Sequence, residues 1–69
     1  MESSFVKNLK ALRLEYGVSQ AALAEVCSVT QQCVSEWERG KIEPTMSNLW
    51  RLADYFDVTI DGLVGRTAI

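Results

Sequence analysis

Gln31 and Gln32 stand side by side, with Ser35, Glu36 and Arg39 following close behind. A glutamine amide offers an acceptor and two donors on one planar group, so it can hold a paired donor and acceptor such as N6 and N7 of adenine. A carboxylate such as that of Glu36 can accept from the N4 amino group of cytosine. These are groups that recognise a partner by hydrogen bonds, and little else in the chain could turn a substrate over. There is no histidine, which removes the commonest general base and metal ligand. Two cysteines, Cys27 and Cys33, cannot complete a structural zinc site or form a disulfide framework. The glycines, Gly17, Gly40, Gly62 and Gly65, are too scattered to form a phosphate-cradling loop. The chain is therefore read as a non-enzyme with no cofactor and no metal.

The elements that must carry these side chains are helical throughout. Phe5, Leu9, Leu12 and Tyr16 fall on one helical face, with Ser3 or Ser4 as cap and Gly17 as stop. Ser19 can cap a second helix that buries Leu23, Val26 and Cys27. Thr30 can cap a third, with Cys33, Val34 and Trp37 on its apolar stripe and Gly40 as its stop. After Pro44, Thr45 can cap a fourth helix that buries Met46, Leu49, Leu52, Ala53 and Phe56. Thr59 can cap a short fifth one carrying Ile60, Leu63 and Val64. Only Ser28-Val29-Thr30 separates the second helix from the third, the sequence shape of a helix-turn-helix. At 100° per residue, Cys33, Val34 and Trp37 share one side of helix three, while Gln31, Gln32, Ser35, Glu36 and Arg39 share the other.

The predicted fold class is all-α, a compact five-helix bundle, and residues 1–69 are read as one domain. Hydrophobic residues are 48% of the chain and charged residues 23%, too apolar for disorder. No apolar run approaches the roughly 18 residues of a membrane span, and Met1-Glu2-Ser3-Ser4 lacks the order of a secretory signal. A cytoplasmic location follows as the expectation. Both cysteines are then expected to be buried thiols behaving as small hydrophobes. A net charge of −2 is unusual for a chain that meets phosphates, since cations displacing counterions supply much of that affinity.

From about Phe5 to Gly65 the sequence resembles the phage-repressor and Cro-like helix-turn-helix family, also called XRE-like regulators. The resemblance rests on Val18-Ser19-Gln20 with Leu23-Ala24-Glu25, on Val29-Thr30-Gln31-Gln32, on Val34 through Lys41, and on Glu43-Pro44-Thr45. Leu52-Ala53, Val58-Thr59-Ile60-Asp61 and Leu63 also fit. It implies a lambda-repressor-like bundle with the helix-turn-helix in helices two and three, and helix three laid in the major groove of double-stranded DNA. Such phage repressors are standard examples of that docking mode. Transcriptional regulation is implied, with repression favoured, by a homodimer formed at least on DNA and bound to a pseudo-palindromic operator. A bacterial or phage-encoded, nucleoid-associated protein is implied with it.

Residue by residue, the resemblance makes Gln31, Gln32, Ser35 and Glu36 the base-facing set. Glu36 fits two roles, reading a base or repelling wrong sequences at the groove edge. Ser19, Gln20, Arg39 and Lys41 become phosphate contacts, Gln20 aided by the free N–H groups of its helix. Lys7 and Lys10 are read as solvated charges. Arg13 and Glu38 become a structural ion pair. Trp50 fits either a cap on the core or a contact to a second subunit, and Ile60 and Leu63 fit the core, although this end of related domains often touches the second subunit. Ser28 stands where the family turn usually has glycine, which strains the backbone if φ is positive there. The acidic balance keeps one alternative open: a protein-interaction module, antitoxin-like, with the same fold and little DNA binding.

Overall fold

The computed structural model describes residues 4–66. Five helices follow one another: α1 Ser4–Glu15, α2 Gln20–Cys27, α3 Gln31–Glu38, α4 Met46–Phe56 and α5 Ile60–Val64. No strand occurs among the described residues, and none of their helices is long and apolar enough to cross a membrane.

Helices of five to eleven residues are marginal alone, and hydroxyl caps fix where four of these begin. Ser19, Thr30, Thr45 and Thr59 are all extended, and each hydroxyl accepts from the amide three residues on. Those amides belong to Ala22 at 3.0 Å, Cys33 at 3.1 Å, Asn48 at 3.2 Å and Gly62 at 2.9 Å. A cap of this kind contributes about 1 kcal/mol. For α1, Ser4 is the first helical residue, and the alternative cap Ser3 lies outside the described residues.

At the other ends the backbone turns left-handed. Gly40 (φ +73) ends α3 with its N–H on the Trp37 carbonyl, while the Lys41 N–H reaches the Glu36 carbonyl. Ser28 closes α2 in the same way at φ 56, with the Val29 N–H on the Ala24 carbonyl at 2.9 Å. The family-type turn is therefore kept although a serine occupies it. A side chain in this region costs about 1–2 kcal/mol, partly offset by the greater freedom that glycine loses on folding. Ser28→Gly is expected to stabilise the domain by about 1 kcal/mol, raising Tm by roughly 4–8 °C in a chain this small. A thermal melt followed by circular dichroism checks this.

The core joins all five helices: Leu9 and Leu12, Leu23, Ala24 and Cys27, Val34 and Trp37, Leu52, Ala53 and Phe56, and Leu63. Several burial expectations need correction, Val26 and Leu49 being only half-buried. Met46 is 56% exposed, because it sits on the first turn of α4 at the border of the stripe, where no other helix covers it. Cys33 is only half-buried, packed on the edge of the core. Tyr16 is half out, its ring edge-on to Phe56 and its hydroxyl donating to the Phe56 carbonyl at 2.8 Å. Val6 and Asn48 are buried without having been expected so.

A further tie links the chain's two ends. The Asn8 amide donates to the carbonyls of Gly62 (3.0 Å) and Leu63 (3.2 Å), joining α1 to α5. Gly65, at φ +89, lies so close to Ser4 that a Cβ there would collide with it.

Candidate nucleic-acid interface

Three consecutive residues, Ser28, Val29 and Thr30, connect α2 to α3. The left-handed Ser28 turns the chain and the Thr30 cap starts the new helix at once. α3 packs on α1 and α2. It turns Val34, Trp37 and Glu38 inward, with Trp37 only 1% exposed.

The opposite side of α3 is open. Gln31 and Gln32 are exposed, and Ser35 and Glu36 are half-buried beside them. No hydrogen bond among the described residues engages the amides of Gln31 or Gln32. Their donors and acceptors are thus free to meet a partner. Arg39 and Lys41 are exposed at the end of the helix. All four base-facing candidates share this side, and the two cations follow at the C-terminal end of the helix.

Beneath the helix-turn-helix lies a network of three helices. The Arg13 guanidinium grips the Glu38 carboxylate in two places, Nε to Oε2 at 2.6 Å and Nη2 to Oε1 at 3.1 Å. Its Nη1 also donates to the Val18 carbonyl at 3.1 Å. Only 3% of the Glu38 side chain and 16% of that of Arg13 are exposed. The hydrogen bond to Glu38 raises the Arg13 pKa further, against the opposing effect of its burial. The expected ion pair is present, and it binds the end of α3 to α1.

Gln20 joins this network, which the sequence reading did not foresee. Its Nε2 donates to Glu38 Oε1 at 3.0 Å. One N–H of the amide is thereby used internally, while the residue stays partly accessible at the start of α2. Nothing local in the sequence signals this, since Glu38 lies 18 positions away. Ser19 is exposed, and its oxygen accepts from Ala22, leaving its own hydroxyl hydrogen available to donate.

The remaining candidates divide. Trp50 is 57% exposed and Ile60 is half-buried. Leu63 has no exposed surface, so it is the core residue that its stripe position suggests, and the alternative contact to a second subunit is corrected. Cys27 is buried at the end of α2, and desolvation pushes its thiol pKa up, with Arg51 opposing in part. That combination suits an inert core thiol.

Comparison with known proteins agrees with this geometry. The helix-turn-helix family pattern matches residues 9–63. The HTH-type transcriptional activator BcrR of Enterococcus faecalis is 38% identical over 60 residues, which are 87% of this chain and 29% of that protein. The chain also spans less than two thirds of the other curated relatives it matches. A transcriptional regulator from Listeria innocua superposes with a TM-score of 0.90 at 33% identity, over 100% of this chain and 64% of the other. The P22 c2 repressor, solved in complex with a synthetic operator, is similar with a TM-score of 0.81 at 30% identity, over 87% of this chain and 91% of that one.

Proposed function

Because this chain belongs to the helix-turn-helix family, we propose that it binds double-stranded DNA with sequence specificity and regulates transcription, most simply as a repressor. The observation that carries this reading is the two-sided character of α3. Its glutamine side is open and unbonded while Trp37 lies fully packed beneath it. A helix so mounted can enter the major groove, where Gln31, Gln32, Ser35 and Glu36 meet base edges. Phosphate contacts fall to Ser19, the remaining N–H of Gln20, Arg39 and Lys41. These set register, and the α3 side chains choose sequence. The P22 relative bound to its operator supports that docking mode.

The acidic total is less of an obstacle once the charges are placed. Glu38 is spent on Arg13, and Asp54, Asp57 and Asp61 belong to the end of α4 and to α5, outside the helix-turn-helix, which keeps Glu25 on α2 and Glu36 on α3. A homodimer acting in the cytoplasm on a two-fold operator completes the proposal, with half-sites about one DNA turn, ~34 Å, apart. No catalytic step is assigned to any residue.

A salt titration of duplex binding tests the reading. Log K should fall with log salt by about 0.9 per phosphate neutralised. Lys41→Ala should weaken binding to all sequences alike and reduce that slope by about one. Feeble binding with a flat salt response would overturn it.

A further inference from the structure

A cleft of about 320 Å³ opens where α1, α4, α5 and the loop between α3 and α4 meet. Its walls are Phe5 on α1, Glu43 and Pro44 in the loop, Leu49 on α4 and Val64 at the end of α5. None of them belongs to α2 or α3, so the cleft is separate from the reading helix. Small-molecule sites begin at about this volume, and they are mostly apolar with a few placed polar groups. Four of the walls fit that description. Phe5, Pro44, Leu49 and Val64 are all half-buried, each keeping part of its surface out of the core.

Glu43 is the one charged wall. It is exposed, and no ion pair or hydrogen bond holds its carboxylate among the described residues. No lysine or arginine lines the cleft to balance it. An anion entering here meets a like charge with nothing to offset it. A neutral apolar molecule fills the walls but leaves the carboxylate without a partner. A cation on an apolar body satisfies both. A helix about 10–12 Å across is too broad for a space equal to a cube about 7 Å on edge, so the occupant is a small molecule.

We propose that the cleft binds a small amine, its apolar body between Phe5, Leu49 and Val64 and its ammonium on Glu43 at the mouth. The site is also coupled to DNA, and this part rests on the proposed function. The loop runs from the left-handed Gly40, which lies against Val6 of α1, to the Thr45 cap. Lys41 opens it as a phosphate contact, and Glu43 follows two positions later. Two residues span at most about 7 Å, comparable to the Debye length of about 8–10 Å. The Glu43 carboxylate therefore opposes the approach of the phosphate that Lys41 holds. An ammonium seated on Glu43 cancels that opposition, so the amine raises affinity for DNA. By reciprocity, DNA raises affinity for the amine by the same factor.

Phenethylamine, neutral phenethyl alcohol and anionic 3-phenylpropanoate test the site without DNA. Amide NMR shifts of the native chain should report phenethylamine with a Kd on the order of 0.1–10 mM, moving Phe5, Glu43, Leu49 and Val64 first. The alcohol should bind more weakly and the acid most weakly. Glu43→Gln, at an exposed loop position, should bring the amine down to the level of the alcohol. Equal binding of all three compounds, shifts scattered away from the cleft, or undiminished amine binding by Glu43→Gln would each overturn the proposal. So would cleft amides that shift with protein concentration alone, because another copy would then cover the site. On duplex DNA at constant ionic strength, saturating phenethylamine should raise native affinity about two- to tenfold. Glu43→Gln should show that gain without the amine and add nothing with it. An amine that fills the cleft and leaves DNA affinity unchanged would overturn the coupling. A chain that binds the amine and no duplex would overturn the DNA reading and leave the site standing.

Discussion

Arg13→Ala is expected to be the most damaging single change to the fold, costing about 3–5 kcal/mol. The reason is what remains behind. Glu38 is a carboxylate with 3% of its side chain exposed, and without Arg13 its one remaining side-chain partner is the Gln20 amide. Removing one member of a buried pair leaves an uncompensated charge, and that loss exceeds what the intact pair contributes over an apolar substitute. A chain of 69 residues is held by roughly 3–10 kcal/mol in total, so the variant should lose a third or more of its stability. Replacing both partners together, Arg13→Met with Glu38→Leu, should recover much of the stability, because no charge is then stranded. Urea unfolding of the two single variants and the double variant measures the coupling directly. Additive losses would mean that the pair is not desolvated as the structure has it.

Gln32→Ala is expected to have the largest effect on recognition. A bidentate amide contact to a base discriminates by about 1–3 kcal/mol, so affinity for the preferred site should fall roughly 5- to 150-fold. Affinity for random duplex should change little, because phosphate contacts supply non-specific binding. Stability should also hold, since Gln32 is exposed and follows the cap residue Thr30 by two positions. The comparison that matters is therefore the ratio of specific to non-specific affinity. Equal losses on both duplexes would remove Gln32 from the base-reading set.

Much of this architecture is legible in the chain because it is locally encoded. Ser19, Thr30, Thr45 and Thr59 cap helices as their positions announce, since a cap is a contact spanning three residues. Trp37 and Val34 fall inside, and Gln31 and Gln32 outside, because helical period alone separates them. Misses occur where distant parts of the chain meet. Asn8 finds its acceptors 54 and 55 positions away, and Gln20 finds Glu38 across the turn; neither pairing leaves a local trace. The exposure of Met46, and the choice between core and second subunit for Leu63, escape the sequence for a related reason. Both lie on an apolar stripe, and whether a stripe residue is covered depends on which helix crosses above it. Leu63 is enclosed by the bundle, whereas Met46, on the outermost turn of α4, is not. The pairing of Arg13 with Glu38, by contrast, came from family resemblance, and the helical wheel merely agreed with it.

The most direct test of the account is selection of bound duplexes from a random pool, run with the native chain and with a Gln31→Ala, Gln32→Ala variant. The native chain should enrich a two-fold symmetric site with half-sites one helical turn apart. The variant should lose preference at a few fixed positions in each half while still retaining duplex weakly. Absence of any enriched sequence, or the same sequence recovered with both proteins, would contradict a reading head made of the open side of α3.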